Sequence, residues 1–226
     1  LSRNTWSAAA RNILFTGSGR QAIAASLAAL AKPGDRIAVE PLTYAALMGI
    51  AAQLGLALVP LGMDDRGATP ASLLRASKEQ SLSAVYLQPS MHNPLGVTMD
   101  EQRRMEIADV LTDTNLVAVE DGIYSFLADE LPLCAYAPDR VIFIHSLSKC
   151  LAPGFVLGVM VVPASLLGSV ASSIRFGGWT VSGLPLAAGL QWMASPGLQK
   201  IIAAKRADAE ARQLIAREIF REPVIA

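Results

Sequence analysis

The chain of 226 residues is 52% hydrophobic and carries 19 basic against 19 acidic side chains, a formal net charge of zero. It is long enough to bury a substantial core as one large domain or two, and balanced charge without a Lys/Arg-rich block gives no electrostatic footprint for nucleic acid within this chain. Two cysteines without a C-x-x-C pair and two widely separated histidines argue against a disulfide framework and a histidine-based metal site, so a reducing, cytoplasmic setting and no bound metal are expected.

The first predicted strand, Ile13–Thr16, runs into Gly17-Ser18-Gly19 and then an alanine-rich helical pattern. A strand turning tightly into a helix points unpaired N–H groups and the positive dipole end at the turn, which makes it a candidate phosphate site. Residues Gly17 to Ala22 fit G-x-G-x-x-G/A, and Glu40 ends the next strand, where a ribose-binding acid would sit. A dinucleotide, another phosphate ligand and a structural glycine turn are all open at this point. The helix stops at Lys32-Pro33-Gly34-Asp35, and further strands are predicted at Arg36–Glu40, Ala57–Leu61, Ala84–Gln88, Leu116–Asp121, Val141–His145 and Gly158–Val162, with helices between them. Thr98 to Glu101 has capping-box spacing ahead of Ile107, Val110 and Leu111, predicting a helix start there. From Pro196 the pattern becomes a charged amphipathic helix with Ile201, Ile202, Leu214, Ile215 and Phe220 on its apolar turns, expected to leave the main domain. The alternation predicts an α/β fold of three layers, α/β/α, around a mainly parallel seven-stranded sheet.

Two uncharged stretches, Pro41 to Met63 and Phe155 to Ile174, are long enough to raise a transmembrane reading. Gly49, Gly55 and Pro60 divide the first, and Gly158, Pro163 and Gly168 the second, so both are expected to fold as buried helix-plus-strand units. Residues 1–10 lack a signal-peptide layout, and no membrane insertion is expected.

Three segments begin where predicted strands end: 90–104, 119–127 and 145–163. Carboxyl ends of strands line the binding crevice of an open α/β sheet, so Asn93, Asp121, Tyr124 and Lys149 would converge with the phosphate turn. Taken singly, Asp121-Gly122 reads as a turn, Asn93-Pro94 as a turn start and Tyr44 as half-buried core. Ser146-x-x-Lys149 also fits a serine-acylase pattern, whose companion S-D-N and K-T-G motifs are absent. Cys150 is taken as packing.

In order and spacing, N-P-x-G (Asn93 to Gly96), E-D-x-x-Y (Glu120 to Tyr124) and S-x-S-K (Ser146 to Lys149) followed by L-A-P-G (Leu151 to Gly154) resemble the fold-type I pyridoxal-phosphate enzymes of the class I/II aminotransferase group. The resemblance runs from about Ile13 to Phe220. HNPLGVTM and SLSKCLAPG are most similar to the aminotransferase-like domain of MocR-type (GntR family) transcriptional regulators.

The resemblance implies a pyridoxal 5'-phosphate cofactor, a Schiff base on Lys149 that also serves as proton shuttle, and Asp121 paired with the pyridinium nitrogen. It places Asn93 and the Tyr124 hydroxyl at the cofactor's phenolic oxygen and the Tyr44 ring on the pyridine face. Ser18, Gly19, Arg20, Ser146 and Ser148 would bind the phosphate. It further implies a cofactor-binding large domain over 1–195, then an interdomain helix and the start of a small C-terminal domain over 196–226. A homodimer acting on an amino acid or related amine is expected, or else an effector-sensing regulator domain using the same chemistry, with any DNA-binding module lying before Leu1. The chain departs from the family at Val156, where an arginine usually clamps the phosphate; Arg20, where the family more often has glutamine, is the candidate compensation.

Overall fold

The computed structural model describes residues 2–3 and 6–220. Each apolar run named above becomes a strand of one sheet: β1 (Ile13–Thr16), β2 (Arg36–Val39), β3 (Ala57–Pro60), β4 (Leu82–Leu87), β5 (Ala118–Asp121), β6 (Val141–Ser146) and β7 (Gly158–Val161). The seven strands lie in the order β1-β7-β6-β5-β4-β2-β3. Strands β6, β5, β4, β2 and β3 pair in parallel, while β7 runs antiparallel to both neighbours. Parallel neighbours need long crossovers; α2 (Ala45–Leu54) and α4 (Glu101–Thr114) supply them between β2 and β3 and between β4 and β5, while α1 (Gly19–Leu30) and α3 (Pro70–Glu79) link strands that are not adjacent in the sheet. Beyond them come the single turn α5 (Leu147–Cys150), then α6 (Leu167–Phe176), α7 (Gly183–Ala194) and α8 (Pro196–Ile219).

Alternate strand residues face opposite layers. Ile37, Val39, Tyr86, Ile142 and Ile144 pack with Ile23, Leu27, Leu47, Val170 and Ile174 from α1, α2 and α6. Ala38, Val85, Leu87, Val141 and Phe143 pack on the other face with Leu73, Ile107 and Leu111 from α3 and α4. Covered on both faces, the strands read as near-continuous apolar runs. In α1, Ala22 and Ala25 are fully buried, so small side chains bring this helix close against the sheet.

The capping-box expectation at Thr98 is corrected. Asp100 is the N-cap of α4, its carboxylate accepting from Arg103 N at 2.8 Å. The Thr98 hydroxyl instead accepts from Met91 N at 3.0 Å, which commits it to the preceding loop.

Helix α8 begins at Pro196 and buries Leu198, with Ile201 and Ile202 packed alongside, against Leu147, Cys150 and Leu157. Its far end carries Leu214, Ile215 and Ile219 largely exposed. Of the segment 196–226, expected to hold an interdomain helix and the start of a small domain, α8 occupies Pro196–Ile219 and residues 221–226 lie outside the described residues. Residues 41–63 hold α2 and β3, and 155–174 hold β7 and part of α6; no described helix is long and apolar enough to cross a membrane.

Candidate active site

The turn after β1 is shaped by glycines on both sides of a strand crossing. A side chain at Gly158, the first residue of β7, would collide with the Thr16 hydroxyl and the Ser18 carbonyl, so only glycine lets β7 lie against the turn. A Cβ at Gly19 would stand 3.4 Å from Ser146 Cβ and 3.4 Å from Ile123 Cδ1, which puts the first residue of α1 directly beside the end of β6. Ser18 is the N-cap, its hydroxyl accepting from Gln21 N at 3.1 Å. Gln21 Oε1 is buried without a hydrogen-bond partner among the described residues. The N–H groups of the first turn of α1 therefore open on the space beside Ser146.

At the end of β5 two neighbouring acids point to opposite layers. Glu120, fully buried, accepts from Leu133 N at 3.0 Å and Cys134 N at 3.1 Å, with Arg104 Nη1 3.8 Å away. Burial pushes its carboxyl up to about 7, against the opposing pull of Arg104. Asp121 faces the α1 layer, where Tyr86 OH donates to Oδ2 at 2.6 Å and Ile123 N donates to Oδ1 at 3.1 Å. Burial raises its carboxyl as well, and the two hydrogen bonds hold it back. No ion pair reaches Asp121 among the described residues, so it is a buried acid held by neutral donors.

The end of β6 turns into α5. Ser146 Oγ accepts from Ser148 N at 3.3 Å and lies 3.0 Å from Ser148 Oγ, which gathers both hydroxyls at one point. One residue on, Lys149 Nζ stands 5.8 Å from the centroid of the Tyr124 ring, within cation–π range. The backbone under the lysine is tied down from α8, where Lys205 Nζ donates to Lys149 O at 2.9 Å. Behind it the Cys150 thiol lies 3.5 Å from His145 Nε2, and burial pushes that thiol up to about 11, consistent with packing and not with a thiolate.

Asn93 follows β4. Its backbone is held by the Gln88 side chain, and its own side-chain amide has no hydrogen-bond partner among the described residues. Tyr44 precedes α2, half-buried against the α1-side core. Arg20 is exposed on the first turn of α1 and makes no ion pair with a described residue; Val156 is 46% exposed. The structure thus brings Gly19, next to the N-cap Ser18, beside Ser146 and its partner Ser148, stands Lys149 Nζ over the Tyr124 ring, ends β5 at Asp121 and ties the Asn93 backbone to Gln88 just beyond β4. Arg20 and Tyr44 make no direct contact with that group among the described bonds.

Glu40 departs from the dinucleotide reading. It is fully buried and accepts from Gln88 N at 2.9 Å, so its carboxylate is committed inside the sheet and unavailable to a ribose. From the sequence alone Tyr86 and Gln88 have no role in the site, and Gly158 is marked only as a break between buried elements. The signal for Tyr86 was a hydroxyl in the otherwise apolar run Ala84 to Leu87, and for Gly158 a glycine opening a buried strand.

The family profile for "Aminotransferase class I and II" matches residues 2–218. An uncharacterized HTH-type transcriptional regulator of Bacillus subtilis, YdeF, is 42% identical over 154 residues, 67% of this chain and 33% of its own length. Aromatic-amino-acid aminotransferase 1 of Thermococcus litoralis is 32% identical over 157 residues, 65% of this chain and 38% of its own length. Among solved structures, N-succinyldiaminopimelate aminotransferase from Mycobacterium tuberculosis superposes with a TM-score of 0.78 at 27% identity, covering 92% of this chain and 56% of that one. The chain spans about a third of the length of these two curated relatives.

Proposed function

The chain belongs to the class I and II aminotransferase family, and from that premise we propose that it binds pyridoxal 5'-phosphate at the strand ends around Lys149 and transfers the amino group of an amino acid or related amine. The observation that supports the reading is the first turn of α1 lying beside Ser146, whose hydroxyl is paired with that of Ser148, one residue before Lys149 with its Nζ over the Tyr124 ring. The residues present fit the cofactor. Asp121 is a buried carboxylate without a cationic partner, which a protonated ring nitrogen would complete, and Asn93 has an unspent side-chain amide. Gly19 leaves a cradle beside Ser146 that a Cβ would begin to fill.

When bound, pyridoxal phosphate supplies an aldehyde that an amine can take up covalently and a ring that withdraws electrons from the adjoining carbon. Asp121 would hold positive charge at the ring nitrogen through Oδ1 or Oδ2, each of which keeps a lone pair beyond its present bond. Lys149 Nζ would be the covalent anchor and the group that moves a proton within the site. Asn93 and Tyr124 would orient the phenolic oxygen, and Tyr44 would pack on the ring. Ser18, Gly19, Ser146 and Ser148 bind the phosphate with hydroxyls and backbone N–H groups, and Arg20 adds the charge.

A second reading is favoured by the 42% identity to an HTH-type regulator: the same site would sense an amine effector without efficient turnover, in a protein whose DNA-binding part lies outside this chain. A homodimer is part of either reading. Apo-protein titrated with pyridoxal phosphate is expected to develop a visible band, and borohydride followed by peptide mapping is expected to fix the cofactor to Lys149. A band retained unchanged in Lys149→Ala, or an adduct on another lysine, overturns the assignment. Amine turnover across a panel of amino acids separates the two readings.

A further inference from the structure

Behind Asn93 lies a buried polar cluster that the proposed chemistry does not use. Glu40, at the end of β2, is completely buried, and Gln88 and His92 are nearly so. Glu40 Oε2 accepts from Gln88 N at 2.9 Å, tying the end of β2 to the end of β4. The Gln88 side chain then turns on the backbone of Asn93 from both sides: its Oε1 accepts from Asn93 N at 3.4 Å, and its Nε2 donates to Asn93 O at 3.4 Å. His92 closes the same turn. Its Nδ1 accepts from Leu95 N at 3.4 Å, so a neutral ring carries its proton on Nε2, which faces Glu40 Oε2 at 3.4 Å. The backbone of His92 is bonded on both sides as well, to Val97 O at 2.8 Å and from Gly96 N at 2.6 Å.

Burying a carboxylate, an amide and an imidazole together is costly unless they are hydrogen-bonded; Glu40 Oε1 and His92 Nε2 are left without a hydrogen-bond partner among the described residues, and the bonds that are made converge on one turn. What they hold is a residue whose own amide side chain is left unspent. We propose that Gln88, anchored by Glu40 and flanked by His92, is a positioning residue for Asn93: the two-point clamp fixes the backbone of Asn93 so that its side-chain amide is presented to the phenolic oxygen of the cofactor. The inference rests on the cofactor reading above, and it assigns a task to Glu40, Gln88 and His92 that the cofactor contacts do not. A fixed donor differs from a mobile one in one measurable way. It stabilises the anionic form of the phenolic oxygen at no cost in ordering, and so lowers the pH at which the bound chromophore titrates.

The test is a double-mutant cycle on the cofactor-loaded protein, read as the pH midpoint of its visible band. Asn93→Ala is expected to raise the midpoint, and Gln88→Met, similar in volume and unable to make the two polar contacts, is expected to raise it by about half a unit to one unit, up to a tenfold change in the titration constant. In the Asn93→Ala background Gln88→Met is expected to have no further effect. A loss of melting temperature in Gln88→Met with an unmoved midpoint, or equal shifts in both backgrounds, overturns the positioning role. A wild-type protein that forms no visible band overturns the cofactor reading itself and this inference with it. One measurement needs no variant: the Asn93 amide of the apo-protein is expected to exchange with solvent far more slowly than an open loop amide, and fast exchange there overturns the clamp.

Discussion

At the scale of single residues, the acids at the end of β5 show how neighbours in sequence are given different work. Asp121 is raised by burial and held back by Tyr86 and Ile123 N, so replacing it with asparagine removes the charge while nearly preserving shape. Asp121→Asn is expected to slow half-transamination by on the order of 100-fold while weakening cofactor binding much less; stopped-flow of the loaded protein with an amino acid checks both. Arg20 is the only cation among the candidate phosphate residues, and Arg20→Ala is expected to weaken pyridoxal phosphate binding about tenfold, the low end for a charge-assisted hydrogen bond. An unchanged dissociation constant means the hydroxyls and backbone N–H groups bind the phosphate by themselves. The candidate residues could be named from the sequence because their types and order are tied to one chemistry. Their supports were not, because Tyr86 to Asp121 spans 35 positions and Glu40 to Gln88 spans 48, and such pairs meet only once the sheet has set its strand order.

Among the elements, all seven strands could be read as short apolar runs because both faces of the sheet are covered. Their ends were less legible. The run Leu116 to Asp121 suggested a strand from Leu116, yet β5 starts at Ala118 because Asn115, in the left-handed region at φ 56°, ends α4 and turns the chain first. Leu116 remains buried as a core residue without joining the strand. At the start of α4, Asp100 both caps the helix and pairs with Arg66. Asp100→Ala is expected to cost about 1–2 kcal/mol in urea denaturation, most of it from the lost cap. Gly158→Ala forces a Cβ into Thr16 and the Ser18 carbonyl and is expected to destabilise by about 1–3 kcal/mol, with loss of cofactor binding out of proportion to that cost because the collision is at the phosphate turn.

For the whole molecule, stability carries a pH signature from Glu120. Its carboxyl moves from 4.5 to about 7 on folding, so the folded state binds the proton more tightly than the unfolded chain. The stabilisation this provides is complete below about pH 4.5 and is lost as pH rises through about 7, a change of about 3 kcal/mol for a shift of this size. Glu120→Gln abolishes that titration, at the expense of one of the two backbone N–H bonds at Leu133 and Cys134. Urea denaturation of apo-protein from pH 4.5 to 7.5 is expected to show wild type losing stability relative to the variant; parallel curves place the proton elsewhere.

The antiparallel strand β7 has a consequence in time. Among the described residues β1 pairs in the sheet with β7, and its last residue Thr16 also bridges Thr180, so β1 waits for a strand that comes much later in the chain, starting at Gly158. Until β7 leaves the ribosome, β1 lacks its partner in the sheet and the glycine turn lacks the strand that lies against it at Gly158, although Asp121, Asn93 and Lys149 have all been translated. On the cofactor reading, the turn proposed to hold the phosphate is therefore expected to be the last part of the site to assemble, and a nascent chain would acquire affinity for pyridoxal phosphate in one late step and not by increments.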